Sequence, residues 1–281
     1  MPAVRIAAFG ILLALANIGG ASAQERPYFV TYDHYLEERG NLEIAVASTT
    51  GIPKKHERVY TAPWLELEIG VTGWWTAELY LEGVAAGETG KAFTGWRLEN
   101  RFRPLRSEHR ITPVVYVEYE SLNEASRIQK EIVGSGSLPF APIDELTKEH
   151  ELEAKLILSS TVGAWNISEN FIVEKNVSES EGFEFGYSVG CARHLGALAQ
   201  AEDCRFCPEI FVVGVEAYGG LGSSEGFARS EQRHYLAPVF SWRVSDHSTL
   251  KASMAFGLTS SSDHALIRVG YAYELPMRSH R

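Results

Sequence analysis

The sequence lacks several features that identify common classes of protein. After residue 23 no apolar run approaches the about 18 residues that a membrane-spanning helix needs, which excludes helical membrane spans. Neither an H-E-x-x-H motif nor a phosphate-binding loop is present. Positive charge is scarce, because 26 Lys and Arg residues stand against 36 Asp and Glu residues. The sequence therefore lacks the electrostatic footprint of a nucleic-acid-binding protein, and we expect no nucleic acid among its partners.

The N-terminus has the pattern of a secretory signal peptide. Arg5 supplies a positive charge, an apolar run follows over residues 6–18, and Ala21-Ser22-Ala23 forms an A-x-A cleavage pattern. The run is shorter than the about 20 residues that span a bilayer, so an N-terminal membrane anchor is the less favoured alternative. We expect residues 1–23 to be removed from a secreted protein of Gram-negative type. A single domain over residues 24–281 then remains.

Period-two alternation of apolar and polar residues dominates the rest of the chain, and this period is typical of β-strands. In residues 63–72, Leu65 and Leu67 share one face while Glu66 and Glu68 share the other. The pattern predicts twelve strands of about ten residues, a length with which a tilted strand crosses a membrane. We therefore predict an all-β fold, a transmembrane antiparallel up-and-down β-barrel of about 12 strands. The predicted strands cover residues 41–49, 63–72, 75–84, 93–103, 111–120, 149–159, 164–175, 182–192, 209–218, 234–244, 249–258 and 265–275.

Two further features favour a membrane location. Tight connections such as residues 73–74 alternate with longer stretches, as expected when short turns face the periplasm and long loops face outward. The long outer loop at residues 121–148 begins with a capping-box pattern that predicts a short helix; the loop either folds into the barrel mouth or is solvated. Aromatic residues at strand ends predict interfacial girdles formed by Trp64, Trp74, Trp75, Phe102, Tyr119, Trp165, Tyr218, Tyr235 and Tyr273.

The strand–turn–strand texture resembles that of Gram-negative outer-membrane β-barrels. The resemblance covers residues 28–275 and rests on WLELEIGVTGWWTAELYLEG (residues 64–83) and the closing hairpin (residues 242–275). Within that group the chain is weakly similar to outer-membrane transporters of the aromatic-compound-degradation type. This resemblance implies passage of small molecules, with outer-membrane lipid and the barrel-assembly machinery as partners. The chain departs from the usual barrel ending, since residues 276–281 follow Leu275 where a terminal aromatic is common.

Charged residues of both signs fall on the faces that we predict to point inward. They either line a small pore, whose acidic excess favours cations, or pair across the lumen and close it. The lumen-lining candidates are Glu66, Glu68, Glu78, Glu82, Arg97, Glu99, Glu118, Glu151, Glu153, Glu184, Glu216, Arg243 and Arg268.

The three cysteines and one histidine form a C-x2-H-x9-C-x2-C pattern from Cys191, His194, Cys204 and Cys207. These ligand types suit zinc, but thiols tend to form disulfides in an oxidising periplasm. We therefore expect a structural disulfide with one spare thiol, in preference to a metal site, and we predict no cofactor. The disulfide is either the short and strained Cys204–Cys207 pair or a bond from Cys191 to Cys204 or Cys207 that clasps the long loop.

The working hypothesis is an outer-membrane channel or transporter for small solutes, of porin type, with a preference for cations. The alternatives are a structural barrel with a closed lumen, a soluble periplasmic β protein, and a barrel enzyme that acts on lipids. The enzyme needs a serine beside a histidine near the outer end, for which Ser230, Ser262, His234 and His264 are candidates. We favour a protein that is not an enzyme and predict no catalytic residue.

Overall fold

The computed structural model contains twelve β-strands at the positions that the alternation predicts. The structure describes residues 26–54, 58–86, 91–123, 125–128, 131–133, 148–180, 182–195, 210–227 and 231–276. The strands are β1 (Asn41–Ile52), β2 (Tyr60–Thr72), β3 (Trp75–Ala85), β4 (Lys91–Phe102), β5 (Thr112–Asn123), β6 (Lys148–Val162), β7 (Trp165–Asn176), β8 (Glu184–His194), β9 (Phe211–Ser223), β10 (His234–Ser245), β11 (Ser248–Gly257) and β12 (Ala265–Pro276). The predicted signal peptide lies outside the described residues, and its removal stays a prediction.

The strands close into one antiparallel barrel. Each strand pairs with its neighbours in sequence, and β1 pairs with β12, so the barrel has no free edge. The prediction of a twelve-stranded, all-β, up-and-down barrel is confirmed. The end at which β1 begins and β12 ends is termed the terminal end, and the opposite end is termed the loop end.

The outer face of the barrel is apolar because outward positions on the strands carry aliphatic and aromatic residues. A large exposed apolar surface marks a site of contact with a membrane or with another protein. Examples from around the wall are Val46, Leu98, Val117, Leu156, Phe171, Val215, Phe240, Phe256 and Val269.

Aromatic residues lie near both barrel ends, but the predicted girdles are only partly on the outside. At the terminal end Trp75 stacks on Phe102 with ring centroids 6.0 Å apart. In contrast, Tyr218 and Tyr235 are fully buried inside the barrel and stack on each other at 5.3 Å. Trp64 also lines a cavity in the lumen. The girdle prediction was wrong for these three residues because alternation along the strand, and not closeness to its end, decides which face a side chain occupies.

The lumen is occupied by the segment that precedes β1. Residues 26–37, termed the lumen segment, form no strand, yet Tyr28, Thr31 and Asp33 are fully buried inside the barrel. The alternation pattern does not predict this placement. Because the segment crosses the barrel interior, the lumen in this structure is not an open pore.

The described part of the long loop also turns inward. Ser126, Arg127 and Glu131 are buried, and Glu131 forms an ion pair with Arg268 on the inner face of β12. These contacts favour insertion into the barrel mouth over a fully solvated loop. The predicted short helix is absent from residues 125–128 and 131–133. No helix in the described ranges is long and apolar enough to cross a membrane.

Candidate functional site in the barrel lumen

Most of the lumen-lining candidates are buried inside the barrel. Glu184 is half-buried at the loop end, and Arg243 is exposed at the terminal end. Whether any of these side chains lines a conducting path stays a prediction. The buried members are Glu66, Glu68, Glu78, Glu82, Arg97, Glu99, Glu118, Glu151, Glu153, Glu216 and Arg268.

Nine glutamates lie directly opposite one another across consecutive strands. They form a row, termed the glutamate ladder, that runs from β12 through β1 to β8. Because the row follows the sheet register, it begins near the terminal end at Glu274 and finishes at the loop end with Glu184. Like charges that face each other across strands destabilise a sheet. In order, the members are Glu274, Glu43, Glu68, Glu78, Glu99, Glu118, Glu153, Glu174 and Glu184.

Arg101 compensates the terminal half of the glutamate ladder. Its guanidinium pairs with Glu68 at 2.5 Å, with Glu99 at 3.2 Å, and with Glu78. Arg26 of the lumen segment adds a second positive charge, 3.9 Å from Glu78. Buried carboxylates need such partners, since an unpaired buried charge is costly.

Arg97 and Lys155 compensate the middle of the glutamate ladder. Arg97 donates to Glu118 at 3.0 Å and to Glu82 at 2.5 Å. The Lys155 ammonium lies 2.7 Å from Glu153. The inner wall over β2–β6 is therefore a network of paired charges, formed along one wall and not across the lumen.

The lumen segment is held to the wall through its backbone. The amides of Val30 and Thr31 donate to the Glu216 carboxylate at 3.0 and 2.9 Å. Asn170 accepts from the Tyr32 amide at 2.7 Å and donates to the Tyr32 carbonyl at 2.9 Å. Buried backbone groups require hydrogen-bond partners. Here the side chains of Glu216 and Asn170 provide the hydrogen bonds that a neighbouring strand would otherwise provide.

The Tyr28 and Phe29 rings of the lumen segment pack against glycines of the wall, which leave space for them. A Cβ at Gly190 would lie 2.5 Å from the Tyr28 ring, and one at Gly270 would lie 3.4 Å from the Phe29 ring. On the opposite side, the Tyr32 hydroxyl donates to Glu99 at 2.7 Å. The sequence analysis missed the lumen segment, although three tyrosines among residues 28–35 are unusual for a solvated linker.

Burial shifts the titration of three residues in the lumen segment. It raises the pKa of the Asp33 carboxyl and lowers the pKa of the His34 imidazole. Burial, assisted by the neighbouring Glu274, raises the pKa of Glu37 from 4.5 to about 7. The lumen segment therefore carries groups whose pKa differs from the ordinary value while the segment is docked.

A cavity of about 70 Å³ remains in the lumen. Its lining includes Arg26 of the lumen segment, Glu120 and Lys155 of the wall, and Ile128 of the long loop. The cavity therefore lies beside the charged wall and has both inserted segments among its lining.

The two described members of the cysteine-and-histidine pattern do not lie together in one site. Cys191 is a free cysteine on the outer face of β8. His194 lies three positions further along the same strand and so points to the opposite face. Cys204 and Cys207 lie outside the described residues. Because Cys191 is free, the alternatives that join it to Cys204 or Cys207 were wrong, while the Cys204–Cys207 alternative stays a prediction.

The serine candidates for lipid hydrolysis show no activated nucleophile in the described residues. The Ser262 hydroxyl donates to the His234 carbonyl at 2.8 Å, while the His234 ring contacts the Tyr187 hydroxyl. Ser230 lies outside the described residues. One G-x-S-x-G match occurs at residues 222–226, but Ser224 lies in the turn after β9 instead of a strand-to-helix elbow.

Comparisons with known proteins identify the barrel type. No protein-family model and no curated protein sequence matches the chain. The crystal structure of an outer-membrane channel from Pseudomonas putida F1 matches with a TM-score of 0.57 and 9% identity, over 90% of this chain and 100% of that chain. The NanC porin matches with a TM-score of 0.51 and 10% identity, over 83% of this chain and 100% of that chain. The chain thus shares its fold with outer-membrane channels.

Proposed function

We propose that the protein is an outer-membrane channel for small solutes that prefers cations. The glutamate ladder carries this proposal, because it places carboxylates along the inner wall from one barrel end to the other. Glutamate and aspartate side chains that line a channel attract cations, so a row of them along the lumen supports passage of cations. The apolar outer face and the N-terminal signal pattern support insertion in the outer membrane, with lipid and the assembly machinery as partners.

The structure represents the closed arrangement of the proposed channel. The lumen segment crosses the interior, so solute passage requires it to move. Its hydrogen bonds to Glu216 and Asn170 are the contacts that must break. A barrel that stays closed and serves a structural role is the second candidate, and the same contacts favour it.

Planar-bilayer recordings with asymmetric KCl test the proposal. We expect discrete current steps with a cation-selective reversal potential. The double variant Glu43→Gln/Glu274→Gln removes two charges at the terminal end of the glutamate ladder and should move the reversal potential toward zero. Glu38→Gln/Glu225→Gln removes two exposed charges and serves as the matched control, since it should leave selectivity unchanged.

A second pair of variants separates a closed channel from a structural barrel. Glu216→Ala/Asn170→Ala removes the backbone anchors of the lumen segment and should raise open probability by roughly 10- to 100-fold, since charged hydrogen bonds contribute about 1.5–3 kcal/mol. Ser253→Ala, on the inner wall, is the control, because its hydroxyl donates to the Pro238 carbonyl and not to the lumen segment. If folded and inserted protein stays silent even with the anchors removed, the structural role replaces the channel.

A further inference from the structure

The guanidinium group of Arg26 lies against the inner wall of the barrel, although the residue belongs to no strand. Its side chain is only 11% exposed. Its Nη2 atom donates to the Glu66 carboxylate at 3.2 Å and to the Tyr80 hydroxyl at 3.1 Å. Its Nη1 atom is buried 3.9 Å from the Glu78 carboxylate and has no hydrogen-bond partner among the described residues. Arg26 therefore has the contacts of a bound guanidinium group.

The three residues that contact Arg26 are positioned by the strands and not by the lumen segment. Glu66 on β2 and Tyr80 on β3 are directly opposite each other in the sheet register. Glu78 lies two residues before Tyr80 and so shares its face of the sheet. All three side chains are buried, and the Tyr80 hydroxyl donates to Glu78 at 2.7 Å, which leaves its oxygen to accept from a cation. These groups therefore stay on the wall when the lumen segment moves.

The ion pair of Glu66 depends on the lumen segment. Glu78 also pairs with Arg101, which is part of the wall. Glu66 instead pairs with Arg26, and Lys251 of β11 adds a weaker electrostatic interaction. Movement of the lumen segment removes the ion-pair partner of a buried carboxylate, and this is costly unless another cation takes its place. Glu66 therefore favours a cationic solute in the opened lumen.

The lumen cavity lies beside the same contacts. Arg26, Glu66 and Tyr80 are part of its lining, together with Trp64, which shares the inner face of β2 with Glu66. Withdrawal of the Arg26 side chain adds its own volume to the about 70 Å³ already present. Tryptophan is the aromatic residue that attracts a cation most strongly. The cavity therefore offers a solute both space and a second type of contact for positive charge.

We propose that Glu66, Tyr80 and Glu78 form a binding site for a solute that carries a guanidinium group, and that Arg26 occupies this site in the closed arrangement. A planar guanidinium presents several N–H donors in one fork, so it contacts a carboxylate and a hydroxyl together, as Arg26 does. The site rests on the proposed channel function, which supplies the route to it, and it names the class of cation that the channel takes.

Competition with Arg26 tests the site in the purified, folded protein in detergent. The probe is N-acetyl-argininamide, and calorimetry measures its Kd. In Arg26→Gln the site is vacant, so the probe should bind at least about ten-fold more tightly than it binds the unmodified protein. Arg39→Gln removes an exposed arginine that follows the lumen segment, and it should bind the probe as the unmodified protein does.

Two further comparisons test which wall groups and which part of the probe are responsible. In the Arg26→Gln protein, Glu66→Gln should weaken binding at least about ten-fold, because a hydrogen bond to a charged group becomes one to a neutral amide. Glu225→Gln removes an exposed charge from the same background and should leave the affinity unchanged. N-acetyl-citrullinamide, which has the same shape without the charge, should bind at least about ten-fold more weakly than the arginine probe.

Equal affinity of Arg26→Gln and Arg39→Gln, in protein whose circular dichroism shows a folded barrel, would overturn the site, as would equal binding of the two probes. Tyr80→Phe removes only the hydroxyl and provides a second wall variant in case Glu66→Gln does not fold; it should also weaken binding. Bilayer recordings separate the site from the channel. A cation-selective barrel that fails these binding tests keeps the channel and loses the site, whereas a barrel that passes them and never conducts keeps the site and loses the channel.

Discussion

The two sides of the barrel wall differ in what they present to the lumen. The wall over β2–β7 presents carboxylates and their basic partners, whereas much of the wall over β8–β12 presents small residues such as Gly190, Ala192, Ala255 and Gly270. Both sides arise from the same alternation in sequence. The lumen segment uses both, because Arg26 and Tyr32 contact the acidic side while the rings of Tyr28 and Phe29 contact the small residues. The β2–β7 side therefore supplies charged partners, and the β8–β12 side supplies the space that the Tyr28 and Phe29 rings occupy.

Removal of the Arg101 charge from the acidic side should have the largest effect on stability. Arg101→Gln leaves Glu68, Glu78 and Glu99 without their shared partner, and breaking a buried ion pair costs about 3–5 kcal/mol. We expect the thermal unfolding midpoint in detergent to fall by roughly 10 °C. The double variant Arg101→Gln/Glu78→Gln should recover part of the loss. Arg106→Gln, at an exposed position, is the control, and an equal midpoint for both arginine variants would contradict the network.

Filling the space on the small-residue side should have an intermediate effect. In Gly190→Leu the new side chain must displace the Tyr28 ring, and such overpacking costs about 1–3 kcal/mol. The displaced population of the lumen segment should rise about 5- to 150-fold. Chymotrypsin cleavage after Tyr28 and Phe29, followed by mass spectrometry, measures this change. Gly73→Ala, in a turn where a Cβ meets nothing within 4 Å, should not alter cleavage. Similar cleavage of the two variants would show that the small residues do not hold the segment.

The pH dependence of stability that arises from Glu37 should be the smallest of these effects. Its pKa of about 7 in the folded protein lies above the ordinary 4.5, so the docked segment binds a proton more tightly than the released one. The stabilisation is complete below pH 4.5 and is lost as the pH rises through about 7.

A single substitution isolates this titration from those of Asp33 and His34. Glu37→Gln should raise the unfolding midpoint by about 2–4 °C at about pH 8, because it removes the buried charge. At about pH 4 the two proteins should unfold at the same temperature. A gain that is equal at both pH values would mean that the charge of Glu37 is not responsible.

The strands could be predicted from sequence because each one is a local pattern. In β3, for example, Glu78 and Glu82 alternate with Leu79 and Leu81, and this spacing alone assigns opposite faces. The faces of Trp64, Tyr218 and Tyr235 were missed although the same alternation contained the information. Closeness to a strand end was given more weight than position in the alternation.

The glutamate ladder could not be predicted, although its members were mostly identified as inward-facing. The identity of a cross-strand neighbour depends on register, and a shift of two residues would keep every face while separating Glu99 from Glu118. The position of the lumen segment inside the barrel could not be predicted from the sequence either. Its partners lie far along the chain, as with Tyr32 and Asn170, and no local pattern joins them.

The sequence by itself determined the twelve strands, their order and the face on which each strand residue lies, because alternation is encoded within about ten neighbouring residues. Only the tertiary structure decided which carboxylates face each other and that residues 26–37 occupy the lumen. These properties depend on sheet register and on contacts between residues distant in sequence, which closure of the barrel brings together.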